Sequence, residues 1–349
     1  MKVLIYTDLQ ATEGAELCRT CPGVPLQRYR TALFFLEAEK LARQHRVEAV
    51  WDLGDTLDNR SDVPVPTIQV TEAGLRWLMQ GKPSALSYKL IGNHEQQQKA
   101  AGVHSGALFN PFFHVVPQCA VFDWNQIEKD GPWIIAVAFP YDLKATEEWI
   151  REEIRRGRAA DRNIIVIAHI PVTGAKMPSG AAANGLDPCC LEGADLALMG
   201  HIHHRQEMRP NYWYLGSPFQ QDFGEANDQK YIAILDTQTL KVEFITLEGF
   251  PQYKIGEASE MPDNLNMGED RWKIIVRDRL QAQQIYSKPW AADVSEITYL
   301  YNETETQDAK TNVLIGEPVV LLEEYLRSHP SPTLDAKKLL AIGTRMLQG

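Results

Sequence analysis

The 349-residue sequence predicts an α/β fold, and three observations carry that expectation. Short β-branched apolar runs recur along the first two hundred residues, helical stretches of mixed polarity separate them, and each run stops abruptly at polar residues. Nearly continuous apolar runs of this length read as strands buried on both faces of a sheet. Strands that alternate with helices imply a largely parallel or mixed sheet covered on both faces.

Val3-Leu4-Ile5-Tyr6 forms the first predicted strand. In residues 29–46, Leu33, Phe34, Leu36 and Leu41, with Val47 just beyond, sit near helical spacing among charges, which predicts a helix. Ala49-Val50-Trp51 is the second strand, residues 66–80 a second helix, and Leu90-Ile91 the third strand. A charge-rich helix over 144–158, its face laced with i,i+4 pairs, precedes the fourth strand at 164–168. From about residue 195 the pattern changes to strands joined by short turns, at 196–199, 212–215, 231–235 and 242–246, with Asp236-Thr237-Gln238-Thr239 as a hairpin connection. After Gly249-Phe250-Pro251 a different region begins, with a strand at 272–276 and helices at 318–328 and 334–347. The expected organisation is a main domain over 1–250, a smaller one over 251–330 and a C-terminal helix over 331–349.

A chain of this length with 44% hydrophobic residues can bury a full core. No run of about 18 uncharged apolar residues occurs and the first residues carry no leader pattern, so the expectation is a cytoplasmic protein with no membrane span. Cys18, Cys21, Cys119, Cys189 and Cys190 are odd in number and read as free thiols. The lone Cys18-Arg19-Thr20-Cys21 has no second pair to complete a four-thiolate zinc site. With 35 Lys+Arg against 46 Asp+Glu the net charge is −11, whereas proteins that coat nucleic acid by counterion release present basic surfaces.

The chemistry lies in five segments: Thr7-Asp8-Leu9-Gln10, Gly54-Asp55-Thr56-Leu57-Asp58, Gly92-Asn93-His94-Glu95, Ala168-His169 and Gly200-His201-Ile202-His203. Each follows an apolar run, and strand C-termini in an open α/β sheet converge on one crevice. Asp, Asn and His together suit manganese, iron or zinc rather than the all-oxygen cage of calcium. Two ions about 3.5–4 Å apart can polarise a phosphoryl group and clamp its entering and leaving oxygens. Adjacent ions need a shared carboxylate, which Asp55 is placed to supply; His201 and His203, two apart on an extended segment, can reach different ions.

The series Asp, GlyAsp, GlyAsnHis, His, GlyHisXHis resembles the calcineurin-like metallophosphoesterase superfamily over roughly residues 1–250. The continuation Trp213-Tyr214-Leu215-Gly216-Ser217-Pro218-Phe219-Gln220-Gln221-Asp222-Phe223-Gly224-Glu225, followed by Lys230-Tyr231, resembles the SbcD-type nuclease subunit of DNA double-strand-break repair complexes, and the similar recombination endonuclease subunit of large tailed phages. The resemblance implies a layered αββα sandwich with a small α+β capping domain and C-terminal helices. It implies two cations, most simply manganese, with Asp8 and His203 on the first, Asp55 bridging, and Asn93, His169 and His201 on the second. It implies His94 as the non-ligand that stabilises or protonates the leaving group. It further implies DNA as substrate, a homodimer built on the helix near 68–80, and an SbcC-type coiled-coil ATPase partner. The last helix, through apolar residues such as Leu339, Leu340 and Met346, would dock that ATPase, or else pack on its own domain. An ATPase that supplies much of the DNA grip relieves the nuclease subunit of a basic surface, and the charge then predicts weak, salt-sensitive DNA binding by this chain alone.

One position departs from the family pattern. The first motif is Asp-X-His in the family, and Gln10 stands where the histidine would be. A neutral amide oxygen is a weaker donor, so the first ion is expected to bind less tightly than the second. Two rival readings stay open: a small-substrate phosphodiesterase or phosphatase with the same metal site, and a structural subunit that regulates an ATPase with catalysis weakened through Gln10. Trp51, Trp133 and Trp213 lie in strand-like runs and are expected in packing; His45, His104, His114 and His329 are expected as ordinary polar groups, and Asp52 and Asp58 as supports of the metal motifs, with a solvated or capping role equally open for Asp58.

Overall fold

The computed structural model describes residues 1–59, 62–96, 104–127 and 129–300. The first sheet contains β1 (Lys2–Tyr6), β2 (Ala49–Asp52), β3 (Tyr88–Leu90) and β4 (His114–Val116), all parallel and in that spatial order. The second is built on β5 (Cys119–Asp123), β6 (Trp133–Val137), β7 (Ile164–His169) and β8 (Leu196–Gly200), with β6, β7 and β8 parallel and β5 antiparallel at the edge. It ends in β9 (Gln206–Arg209) and β10 (Tyr212–Tyr214), in the order β8-β10-β9. The chain then returns to the first sheet with β11 (Tyr231–Asp236) antiparallel to β1 and β12 (Lys241–Thr246) outside it.

Alternation along the strands sets the layers, because successive side chains point to opposite faces. Leu4 and Tyr6 of β1 pack with Phe34 and Phe35 of α1 (Leu26–His45) and Leu75 of α2 (Val65–Leu78). Val3 and Ile5 face the other way, against Ile134, Ile165, Ile167 and Leu198 of the second sheet. The outer residues of that sheet, Ile135, Ile164 and Val166, meet Ile150 and Ile154 of α3 (Leu143–Ala159). Helices, sheet, sheet and helix therefore stack as the αββα sandwich, and burying each Ile, Val or Leu contributes about 1.5–3 kcal/mol. Trp51 is fully buried between the sheets; Trp133 and Trp213 pack at the margins of two cores.

A third sheet of parallel strands, β13 (Tyr253–Glu257), β14 (Arg271–Val276) and β15 (Glu296–Tyr299), carries α4 (Arg279–Tyr286) and its own small core around Ile274, Val276, Ile285 and Trp290. It is tied to the loop that follows the first motif. Arg271 reaches Glu16 at 3.1 Å, Arg19 donates to the carbonyls of Gly268 and Asp270, and Glu269 accepts the backbone N–H groups of Arg19 and Thr20. Burial raises the Glu269 carboxyl, but these donors outweigh it and hold the group down at about 2. Cys18 and Cys21 lie in this loop as free thiols, the Cys18 sulfur accepting from the Cys21 N–H.

The predicted helices recur with ends shifted by one to three residues. The third strand is Tyr88–Leu90 rather than Leu90-Ile91, because Lys89, whose charge marks a surface position in sequence, is fully buried within it. Strands β4, β5, β13 and β15 are short or carry little apolar alternation and were not expected. The helices expected at 318–328 and 334–347, and with them Leu339, Leu340 and Met346, lie outside the described residues. No described helix is long and apolar enough to cross a membrane.

Candidate metal centre

The five motif segments emerge from the C-terminal ends of β1, β2, β3, β7 and β8. Three begin with a glycine, for steric reasons. A Cβ on Gly54 would strike the His169 imidazole, one on Gly92 the Asp55 carboxylate, and one on Gly200 the Thr7 hydroxyl. The motifs are packed against one another so closely that backbone must meet functional side chains.

Asp8, Gln10, Asp55 and His201 all have left-handed backbones, with φ of 52°, 46°, 55° and 91°. Each costs about 1–3 kcal/mol and persists only where its surroundings over-determine it. Here Asp8 N–H donates to the Gly54 carbonyl at 2.9 Å, Gln10 N–H to Asp55 at 2.9 Å and Ala11 N–H to Thr56 at 2.8 Å, zipping the first two motifs together.

Asp8, Asp55 and His169, all buried, offer donor atoms within 4.8 Å of one another. His169 Nε2 stands 3.1 Å from Asp55 Oδ2 and 3.2 Å from Asn93 Oδ1, and His201 Nδ1 is 2.7 Å from the same Asn93 oxygen. On the other side, His203 Nε2 lies 3.8 Å from Asp8 Oδ1 and meets the Gln10 amide at 3.1 Å. The predicted residues thus come together as two groups, Asn93–His169–His201 and Asp8–Gln10–His203, with Asp55 against the first and within reach of Asp8.

The donor set fits divalent cations. His169 engages the Leu53 carbonyl through Nδ1 at 2.7 Å, and His203 engages Glu225 Oε1 through Nδ1 at 2.7 Å, so each turns Nε2 to the cluster. Metal-binding histidines are oriented in this way, by a carbonyl or carboxylate on the far nitrogen. Burial raises Asp55, but His169 and His94 outweigh it and hold the carboxyl down at about 2. Burial lowers His169, but Asp55 and Asp8 outweigh it and hold the imidazole up at about 9. Burial, with the His169 charge beside it, pushes His201 down to about 3. Burial raises Asp8 against the pull of His169 and His203.

His94 sits beside this cluster. Its N–H donates to Asp55 Oδ1 at 2.9 Å and its Nδ1 meets the Asp58 carbonyl at 2.7 Å, with the Asp58 carboxylate 3.3 Å away. The bond to Asp58, opposed by burial and aided by the Asp55 charge, holds the ring up at about 9.

Several supporting residues were missed or only glimpsed in sequence. Glu225, buried, also accepts from Ser217 at 3.1 Å and Lys230 at 2.5 Å, and Lys230 donates to the His203 carbonyl at 3.0 Å. Gln221 reaches the carbonyls of Asp8 and Leu9 at 3.4 Å. The segment from Ser217 to Lys230 is therefore a bracket around His203 and the first motif, a role its spacing did not reveal. His204 pairs with Asp228 at 2.9 Å and stays half-exposed. Asp52 is buried and accepts from Gly54 N–H at 3.0 Å.

The family model for calcineurin-like phosphoesterases matches residues 1–205. Among curated proteins, one named exonuclease subunit 1, from Enterobacteria phage T4, is 23% identical over 302 residues, covering 85% of this chain and 86% of the relative. Among solved structures, a dimetal phosphatase from Danio rerio is 11% identical, with 70% of this chain and 98% of that one covered and a TM-score of 0.44. An archaeal phosphodiesterase is 13% identical, with 71% and 100% covered and a TM-score of 0.36. With the motif residues gathered at the strand ends and the family model spanning more than half its length, this chain belongs to the calcineurin-like phosphoesterases.

Proposed function

We propose that this phosphoesterase is a DNA nuclease subunit that hydrolyses phosphodiesters with two divalent cations, manganese the favoured occupant. The observation that carries the reading is the gathering of Asp8, Asp55, Asn93, His169, His201 and His203 at adjoining strand ends, with the His94 N–H bonded to Asp55 beside them. DNA is favoured over a small diester by the relation to the phage exonuclease subunit across 302 residues, which extends well past the 205 residues of the family match.

In this reading Asn93, His169 and His201 hold one ion, Asp8, His203 and Gln10 the other, and Asp55 is shared. The cations, when bound, polarise the phosphodiester and activate a water. Asp58 fixes the His94 ring through Nδ1, which leaves Nε2 to donate toward the departing oxygen. The test is turnover with manganese on blunt duplex DNA, single-stranded DNA and a chromogenic diester; turnover of the diester with none on either DNA overturns the nuclease reading.

Gln10 sets the order of loading. A titration by calorimetry is expected to resolve a tight ion and a weaker one, and Gln10→His should tighten the weaker by about 10–100-fold, the range over which changes around metal ligands act. Two equally tight ions in the wild type, or unchanged affinity in the variant, would refute this.

We also propose a coiled-coil ATPase as partner, docked through residues 331–349. The support is the apolar stripe that includes Leu339, Leu340 and Met346 in the sequence. Deleting 331–349 should abolish co-purification with that ATPase while leaving metal binding intact; retained association rules the segment out.

A further inference from the structure

We propose that Lys89 is a positioning residue for the metal centre, holding the bridging Asp55 and the Asn93–His94 motif in register through Glu95 and Asp52. The inference rests on the metal reading above and adds a residue that no motif contains.

Lys89 occupies the middle of β3 and is fully buried. Its ammonium has three N–H donors and three partners: Asp52 Oδ2 at 3.0 Å, Thr56 Oγ1 at 2.7 Å and Glu95 at 2.8 Å. The Phe109 ring lies against it, 4.6 Å from the nitrogen to the ring centroid. Both acidic partners spend their remaining acceptor capacity on the motif loops. Glu95 accepts the N–H groups of Gly92 and Asp55 at 3.2 Å each and of Thr56 at 3.1 Å. Asp52 accepts Gly54 N–H, the Thr56 hydroxyl and the Tyr6 hydroxyl. One side chain thus anchors the loop after β2 and the loop after β3, the two that carry Asp55, Asn93 and His94.

Stability alone does not account for such a group. Desolvating an ammonium and two carboxylates offsets much of their mutual attraction, and well-packed apolar residues often replace a buried ion cluster without loss. Geometry does account for it. Asp55 is held with φ of 55°, a conformation that needs a firm backbone partner, and its N–H partner is the Glu95 carboxylate that Lys89 fixes. The charge also matters locally, because Asp8, Asp52, Asp55 and Glu95 are all buried near one another, and Lys89 is the fixed lysine or arginine cation bonded to that group among the described residues. Removing it would take away the donor that fixes the Asp52 and Glu95 carboxylates, and with it their hold on the loop amides.

The experiment compares wild type, Lys89→Met and the Lys89→Met/Glu95→Gln double variant, each by manganese calorimetry, the electron paramagnetic resonance spectrum of bound manganese, and thermal midpoint without added metal. Lys89→Met is expected to weaken manganese binding at least about tenfold, the scale of lost support around metal ligands, and to alter the spectrum. The double variant, which leaves Asp52 as the one carboxylate without its ammonium, should recover part of the lost thermal stability but not metal affinity. A purely structural lysine predicts the opposite pattern, lowered midpoints with unchanged affinity and spectrum, and that result overturns the proposal. Recovery of affinity in the double variant overturns it equally, and the double variant serves the same purpose if Lys89→Met does not fold. Absence of manganese binding by the wild type would instead remove the metal reading itself.

Discussion

Asp55→Asn should abolish phosphodiester hydrolysis, lowering kcat by about a thousandfold or more, on the scale that removal of one preorganised electrostatic group commands. The substitution keeps the shape of the side chain, including an oxygen able to accept the His94 N–H now held at 2.9 Å, and removes only the negative charge. That charge balances His169 at 3.1 Å and lies within 4.8 Å of a donor atom of Asp8. With an amide in its place, the proposed pair of ions has no shared anionic ligand, and calorimetry should report one ion where the wild type takes two. A variant that keeps two ions and falls by less than tenfold would show that Asp55 does not bridge.

His94→Ser should be nearly as costly to turnover but silent in binding. The ring contacts the Asp58 carbonyl and carboxylate rather than the His169–His201–Asn93 group, so metal stoichiometry and affinity should stay at wild-type values. The kcat on DNA should fall by about 10²–10⁴, the contribution typical of a positioned acid or base. With the proposed role at the departing oxygen, the loss should be smaller on a diester with a good leaving group than on DNA. Equal losses on both substrates would assign His94 to binding or to site structure instead.

These two residues also show how far the sequence could be read. Asp55 and His94 follow apolar runs that end abruptly, and such runs are legible because a strand buried on both faces tolerates no polar interruption until it leaves the sheet. The same logic located Asp8, Asn93, His169, His201 and His203, and the alternation of runs with helical stretches made the α/β class legible. Lys89 broke that logic. A lysine in a strand-like run reads as a surface position, and nothing local announces that Asp52, Thr56 and Glu95 will surround its ammonium. Glu225 was visible only as part of a family-like segment; its bond to His203 spans 22 residues and depends on how the chain turns between β10 and β11. The third sheet was half legible, since β14 carries an apolar core while β13 and β15 are short and half exposed.

What the linear order of residues settled was chemistry and placement: which donor types are present, that each stands at a strand end, and that glutamine occupies position 10 of the first motif, where the family it resembles has histidine. Periodicity and residue type are local properties, so these were readable without the fold. Which donors come together, which backbones are forced to positive φ, and which further residues hold them were settled by packing. Among the contacts responsible are Lys89 on Asp52, 37 residues apart, and His201 on Asp8, 193 apart, and no local pattern specifies partners across such distances. They form because two sheets bury their common faces and bring five strand ends to one edge. The candidate metal centre is thus a consequence of the core, and its supporting charges, Lys89 and Glu225 above all, became identifiable as functional candidates when burial and hydrogen-bond partners were both in view.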